Sequence, residues 1–500
     1  MNKLFLAEIN LKKVILFHLT ISALRLLYLT LGPTDLFLEE AQYWLWSTEL
    51  DWSYYSKPPF VAYLNFISTS IFDHTELAIK FNAVVMGLIF TLFVYLIAKE
   101  FFKDNREAFW TSLLVYAMPF FHTTFNFFLT DAPLLTAWAG AVYFYLKAIV
   151  SNHTKHWILL GVCCGVGLLS KYTMVLFAPV VLIHMLWFHR GYLSQKGPYI
   201  TLLVAAFFLL PVLIWNLQMD FISFRHVASI GKSELTFAKR LTFVSEYWGG
   251  QIAIVSPFLF PFLAIAIYRA LRSKDSSQAF LALGPILVFL FFLIYSFTKR
   301  VEVNWAVFAY CSVPILVVQQ FGQMKNSKLG WHLATLTFSL LLVFSYLTPY
   351  LHPLGLHKIW PPKKDPVHRV VGWDKLGQRL QEIIDEQVSD PYFLFSDSYE
   401  VACQAAFYTS DHLRPYNINL GRRQNQLDLW PGLESIENQG YTGVWVKKGE
   451  GLPQEVKEGF KKVVHQETLD IELGGIVVKT FTIAVLEDLQ HIEEQESNYY

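Results

Sequence analysis

Two adjacent carboxylates, Glu39 and Glu40, stand just beyond the first long apolar run of the chain, Val14–Leu31. They open the stretch Glu39-Glu40-Ala41-Gln42-Tyr43-Trp44, and Tyr54-Tyr55-Ser56-Lys57-Pro58-Pro59 follows shortly after. A carboxylate pair at the mouth of a membrane span is costly to keep unless water, a cation or a substrate meets it. The aromatic rings alone would read as an interfacial belt. Lys57 and the rigid Pro58-Pro59 beside them favour a site. A carboxylate there can accept a proton from an attacking hydroxyl, and a lysine can hold a phosphate through charge-assisted hydrogen bonds. Tyr43, Tyr54 and Tyr55 are the nearest candidates for substrate contact.

Other charged residues stand at the ends of later apolar runs. Asp131, in Thr130-Asp131-Ala132-Pro133, reads in isolation as a helix cap. Lys171, in Ser170-Lys171-Tyr172, has almost no loop around it, and snorkelling alone could account for it. Lys299-Arg300-Val301-Glu302-Val303-Asn304-Trp305 puts two cations on the face where the positive-inside rule disfavours them, so an anionic ligand is the better account. Taken together, these residues gather cations and carboxylates on one face of a helical bundle. A polyprenyl-phosphate sugar needs that set, with apolar grooves for its isoprenoid chain. No HExxH pattern or Cys/His cluster points to a metal, and a divalent cation at the carboxylates stays an open alternative.

The elements that must hold these residues are membrane spans. Of the 500 residues, 54% are hydrophobic and 16% charged, where a soluble protein carries about 25% charged residues. Lys+Arg and Asp+Glu are equal at 40 each, so net charge points to no nucleic-acid partner. Cys163, Cys164 and Cys311 lie in apolar runs and only Cys403 in a polar region, which leaves no disulfide framework. A span needs about 20 apolar residues, and this predicts about eleven. They run over roughly 12–31, 78–98, 107–121, 131–149, 157–170, 172–189, 199–217, 250–268, 279–298, 304–321 and 329–350. Basic residues favour the loops on the N-terminal side of the membrane, so an odd count turns the candidate site and the C-terminal region outward. Within 218–248, Leu235, Ala238, Leu241, Val244 and Trp248 recur at helical spacing, which predicts a helix on the membrane surface.

From about Leu351 the composition changes. Pro353, Pro361, Pro362 and Pro366 form a stiff linker, and charge density rises. Val370 to Ile384 traces one face of a helix, Glu400–Tyr408 a second, and strands are predicted at Tyr392–Ser396, Gly443–Lys447 and Gly475–Leu486. The expected architecture is mainly α, a polytopic bundle over residues 1–350 with a small extracytoplasmic α/β domain over 351–500.

The first outward loop, with its Glu39-Glu40 and Tyr54-Tyr55-Ser56-Lys57-Pro58-Pro59, resembles that of bacterial GT-C glycosyltransferases of the protein O-mannosyltransferase and aminoarabinose-transferase-like group. The Asp131, Lys171 and Lys299–Trp305 motifs resemble later motifs of that group. Asn419-Leu420-Gly421-Arg422-Arg423 … Leu429-Trp430-Pro431-Gly432 is similar to a segment of its extracytoplasmic domain. The resemblance implies inverting transfer from a polyprenyl (undecaprenyl) phosphate sugar at the outer face of a bacterial inner membrane. The acceptor it implies is a glycolipid such as lipid A or lipopolysaccharide core; a protein hydroxyl is the alternative. A transporter or flippase for the same lipid is the rival from another class, and it would place charges at mid-membrane depth. By the same resemblance Glu39, Glu40 and Asp131 take the catalytic positions. Lys57 and Lys171 match positions near the donor phosphate. From their own charge and placement Lys299 and Arg300 are further candidates for that phosphate, and Tyr43, Tyr54, Tyr55, Glu302 and Asn304 are candidate substrate contacts. The group commonly has Asp-Glu where this chain has Glu39-Glu40, so the resemblance does not decide which glutamate acts.

Overall fold

The computed structural model describes residues 9–229, 236–361, 364, 366–388 and 391–495. Leu235 and Pro362 of the surface-helix and linker readings lie outside these residues. All eleven predicted spans are helical, but not all are single straight helices. Among the described residues, Leu11–Leu31, Glu76–Phe102, Asp131–Ser151, Lys196–Gln218, Ser276–Ser296, Val303–Gly322 and Ser327–Leu351 are the seven helices long and apolar enough to cross a membrane. Thr154–Ser170 and Tyr172–Phe188 are shorter apolar helices. The protein is a multi-pass membrane protein.

Two of the predicted spans are broken. The one expected over 107–121 is a helix, Asn105–Leu114, a short 3-10 turn, and a second helix, Pro119–Phe125. Pro119 cannot continue a helix from Met118, whose backbone is extended. Backbone groups freed at membrane depth need partners inside the protein. His122 Nε2 meets the Tyr116 carbonyl at 2.8 Å, and Arg25 donates to the Phe125 carbonyl at 2.8 Å and to Asn126 Oδ1 at 2.9 Å. The span expected over 250–268 is a pair, Phe237–Val255 and Phe260–Leu271, meeting at 98°. The first limb of that pair leaves Phe237, Leu241 and Trp248 exposed, in the stretch where the sequence predicts a surface helix.

The C-terminal region carries a five-stranded sheet of order β2-β1-β3-β5-β4, with β1 Tyr392–Ser396, β2 Tyr416–Asn417, β3 Thr442–Lys448, β4 Phe460–Leu473 and β5 Ile476–Leu489. β1 pairs in parallel with β2 and β3, and β5 is antiparallel to β3 and β4. The helix Trp373–Gln387 packs Leu376, Leu380 and Ile383 against Val444, Val446, Phe481 and Ile483 of the sheet. The other helix, Tyr399–Tyr408, lies between sheet and bundle, and its Val401 and Ala405 join the sheet-domain core. Its Ala402, Cys403, Ala406 and Phe407 join the bundle's own core, with Phe407 edge-on to Trp44 at 5.0 Å. That contact ties the sheet domain to the helix Leu38–Thr48, which carries the two glutamates.

Candidate active site

A cavity of about 720 Å³ lies where the bundle meets the sheet domain. Glu39, Gln42 and Tyr43 line it from the helix Leu38–Thr48, and Tyr55, Ser56 and Lys57 from the loop that follows. Asp131, Lys171, Glu302 and Asn304 come from the ends of spans. The sheet domain closes it with Asp397, Tyr399, Glu400, Arg422, Arg423 and Gln426.

Residues three and four apart share a face of a helix, whereas neighbours diverge by about 100°. The stripe Glu39–Gln42–Tyr43 faces the cavity, so Glu40 points into the protein. Glu40 is fully buried. Its Oε2 accepts the Phe37 N–H at 2.8 Å, the acidic half of a capping box, and its Oε1 accepts the Phe128 N–H at 2.6 Å. Glu40 therefore braces the segment that leads into Asp131. Burial pushes its carboxyl up to about 7, against the pull of Lys80 and the two N–H donors. Burial also raises the Glu39 carboxyl, with Glu400 adding to the rise and Lys57 opposing it. A raised carboxyl holds a proton more strongly, as a general base should.

Lys171 meets Asp131 Oδ1 at 2.8 Å, and Asn304 Nδ2 donates to Asp131 Oδ2 at 2.9 Å, so both oxygens of Asp131 are engaged. Lys57 differs, with no carboxylate in ion-pair range among the described residues. Burial, followed by the like charge of Lys171, lowers it from 10.5 to about 8. Tyr54 does not line the cavity: its hydroxyl donates to the Trp46 carbonyl at 2.8 Å and its ring stacks on Trp46. Its N–H donates to the Lys57 carbonyl at 3.1 Å, which closes the turn presenting Lys57. The Tyr55 N–H donates to Gln426 Oε1 at 2.6 Å and binds this loop to the sheet domain.

Lys299 and Arg300 also lie outside the cavity lining. The Lys299 ammonium stands 3.9 Å from the Tyr295 ring centre, and the exposed Arg300 lies 3.4 Å from Glu246 and 3.8 Å from Glu302. No group of three or more His, Cys, Asp or Glu side chains converges as a metal site among the described residues. Beyond the motifs quoted from the sequence, the cavity lining adds Leu129, His226, Asp397, Ser398, Tyr399, Glu400 and Gln424–Gln426. Local pattern carries no signal for most of them. Arg422-Arg423 falls in a stretch already similar to the family's outer domain.

Residues 56–215 match the family described as dolichyl-phosphate-mannose-protein mannosyltransferase. The lipid A galacturonosyltransferase of Rhizobium johnstonii is 30% identical over 297 residues, which are 59% of this chain and 62% of that protein. The undecaprenyl phosphate-alpha-4-amino-4-deoxy-L-arabinose arabinosyl transferase 2 of Proteus mirabilis is 30% identical over 145 residues, 28% of this chain and 26% of that one. The matched part of this chain thus spans less than two thirds of either relative. Crystal structures of ArnT from Cupriavidus metallidurans, apo and bound to undecaprenyl phosphate, share 13% identity and a TM-score of 0.66, covering 95% of this chain and 98% of theirs. The fold is that of ArnT, in keeping with the resemblance read from the first outward loop.

Proposed function

We propose that this chain is an inverting glycosyltransferase of a bacterial inner membrane. It moves a sugar from undecaprenyl phosphate to a hydroxyl of a glycolipid acceptor, such as lipid A or lipopolysaccharide core, on the periplasmic face. Residues 1–350 form the transferase bundle and 351–500 a periplasmic domain that completes the cavity. One observation carries the reading: Glu39 and Lys57 line the same cavity from neighbouring segments, with Asp131 and Lys171 paired beside them. The relatives named as lipid A and undecaprenyl-phosphate sugar transferases support it.

In the reaction the acceptor oxygen attacks the anomeric carbon while the bond from that carbon to the phosphate oxygen breaks. The hydroxyl proton passes to Glu39 and the phosphate leaves against Lys57. The Asp131–Lys171–Asn304 cluster is internally neutralised, so it shapes the wall and orients substrate, while Lys57 meets the phosphate. Tyr43, Tyr55, Glu302, Tyr399 and Glu400 are placed to contact sugar or acceptor.

The test is transfer by purified protein in liposomes holding undecaprenyl-phosphate sugars and lipid A, with the product read by mass spectrometry. A mass increase of one sugar on lipid A is the expected result. Donor movement across the bilayer without any transfer would replace this reading with a lipid transporter.

A further inference from the structure

The segment Gly32–Phe37 joins the first span to the helix bearing Glu39 and has no regular structure of its own. Its backbone groups must find partners elsewhere, and three of them find partners in the sheet domain. The Asp35 N–H donates to the Val370 carbonyl at 2.8 Å. The Leu36 N–H donates to the Tyr408 hydroxyl at 2.8 Å, and Gln404 Nε2 donates to the Leu36 carbonyl at 3.0 Å. On the bundle side, Lys80 donates to the Thr34 carbonyl at 2.5 Å and pairs with Glu76 at 2.9 Å. The Tyr408 hydroxyl, in turn, donates to Glu76.

Asp35 adds a side-chain contact to this set. The helix Trp373–Gln387 begins after Gly372, which has no side chain to cap it. Gly372 has φ +84°, and a Cβ there would stand 2.2 Å from Ile471, so no capping residue can replace it. The missing acceptor comes from the bundle. Asp35 Oδ2 accepts the Trp373 N–H at 2.6 Å, and the Asp374 N–H lies 3.4 Å away. A carboxylate there also meets the positive end of the helix. Asp35 is buried, with 8% of its surface exposed. Asp374, Glu76, Lys80, Tyr408 and Lys479 are the titratable groups around it.

We infer that Asp35 is a positioning residue for Glu39: by capping a sheet-domain helix from the bundle, it fixes the start of the helix Leu38–Thr48. The Glu39 carboxylate therefore stands where it does only while the two domains stay clamped. The activity readout below rests on the glycosyltransferase reading; the exchange readout does not.

Asp35→Ala removes the cap and Asp35→Asn keeps one oxygen acceptor, both in the full chain in liposomes. A misplaced reacting group costs up to about a hundredfold in rate. For Asp35→Ala, kcat should fall about tenfold to a hundredfold with donor KM within about threefold of wild type. Asp35→Asn should keep most of kcat. Amide exchange should quicken over 34–40 and 373–376 in the alanine variant and stay near wild type in the asparagine variant. Tyr408→Phe, which removes the acceptor of the Leu36 N–H, serves with the same expectations should Asp35→Ala fail to reach the membrane. Unchanged exchange would overturn the clamp. Faster exchange with unchanged kcat would reduce Asp35 to a docking residue, and equal losses in both variants would assign it a charge role instead. A wild type without transfer would sink the glycosyltransferase reading and leave the exchange measurement to decide the clamp.

Discussion

Replacing Lys57 by methionine should make the donor-free protein more stable and its donor binding weaker. Lys57 is partly buried, has no carboxylate in ion-pair range among the described residues, and is held down to about 8 from 10.5 by burial and by Lys171. A displacement of that size corresponds to roughly 3 kcal/mol against the charged form. Water at the cavity mouth reduces this to about 1–2 kcal/mol. The sign follows from the direction. A lysine lowered in the folded state is charged in both states below pH 8, so the penalty is fully present there. It is relieved as pH rises from about 8 towards the ordinary lysine range. Lys57→Met removes the penalty at pH 7, and the variant should melt higher than wild type without donor. The same substitution deletes a charge-assisted phosphate contact worth about 1.5–3 kcal/mol, or about tenfold to a hundredfold in donor affinity. Wild-type donor affinity should likewise decline as pH rises above about 8, and that of Lys57→Met should not. Thermal melting with and without undecaprenyl phosphate, at pH 7 and pH 9, reads all of these effects. A variant that melts lower, or that keeps wild-type donor affinity, would refute the reasoning.

Three other outcomes follow from the same geometry. Lys171→Ala leaves Asp131 buried with only Asn304, and breaking a buried pair from one side costs about 3–5 kcal/mol; the double variant Asp131→Asn/Lys171→Met should recover most of the lost melting temperature, and equal melting of single and double variants would deny the pair. Glu40→Gln can satisfy only one of the Phe37 and Phe128 N–H groups, so it should lose about 1–3 kcal/mol of stability yet retain measurable transfer; complete loss of transfer at normal abundance would give Glu40 a direct role. The sheet domain shares the cavity's face, so a reporter fused after Tyr500, itself outside the described residues, should be active in the periplasm; activity only in the cytoplasm would overturn the topology and the site's location with it.

Much of the site was legible because charge at the end of an apolar run is conspicuous. Glu39, Lys57, Asp131, Lys171, Glu302 and Asn304 are far apart in the chain, and all line one cavity. The choice between Glu39 and Glu40 was not legible, because helical periodicity gives Tyr43 to both stripes. The phase is set by Phe128, which is distant in sequence and captures Glu40. Lys299 and Arg300 have the right charge near a span end, but Tyr295 takes one and Glu246 and Glu302 the other. The hydropathy that predicted eleven spans does not register how a helix bends at Ser256 or breaks before Pro119. In the sheet domain the local pattern locates β1 and the helix Tyr399–Tyr408 closely, yet nothing local announces that this helix brings Tyr399 and Glu400 to the cavity. β4 is not legible in the sequence because it is an edge strand with Lys, His, Gln, Glu and Asp along most of its length, a composition that protects an edge and hides its alternation.

Glu39 as the base is the central claim, and a paired measurement on Glu39→Gln tests it most directly. Transfer to lipid A and binding of the donor lipid are measured side by side on the purified variant. The amide keeps the shape of the cavity-facing stripe but cannot take the acceptor's proton. Turnover should be abolished while the donor still binds with near wild-type affinity. Full transfer by Glu39→Gln would contradict the account and remove Glu39 as the base.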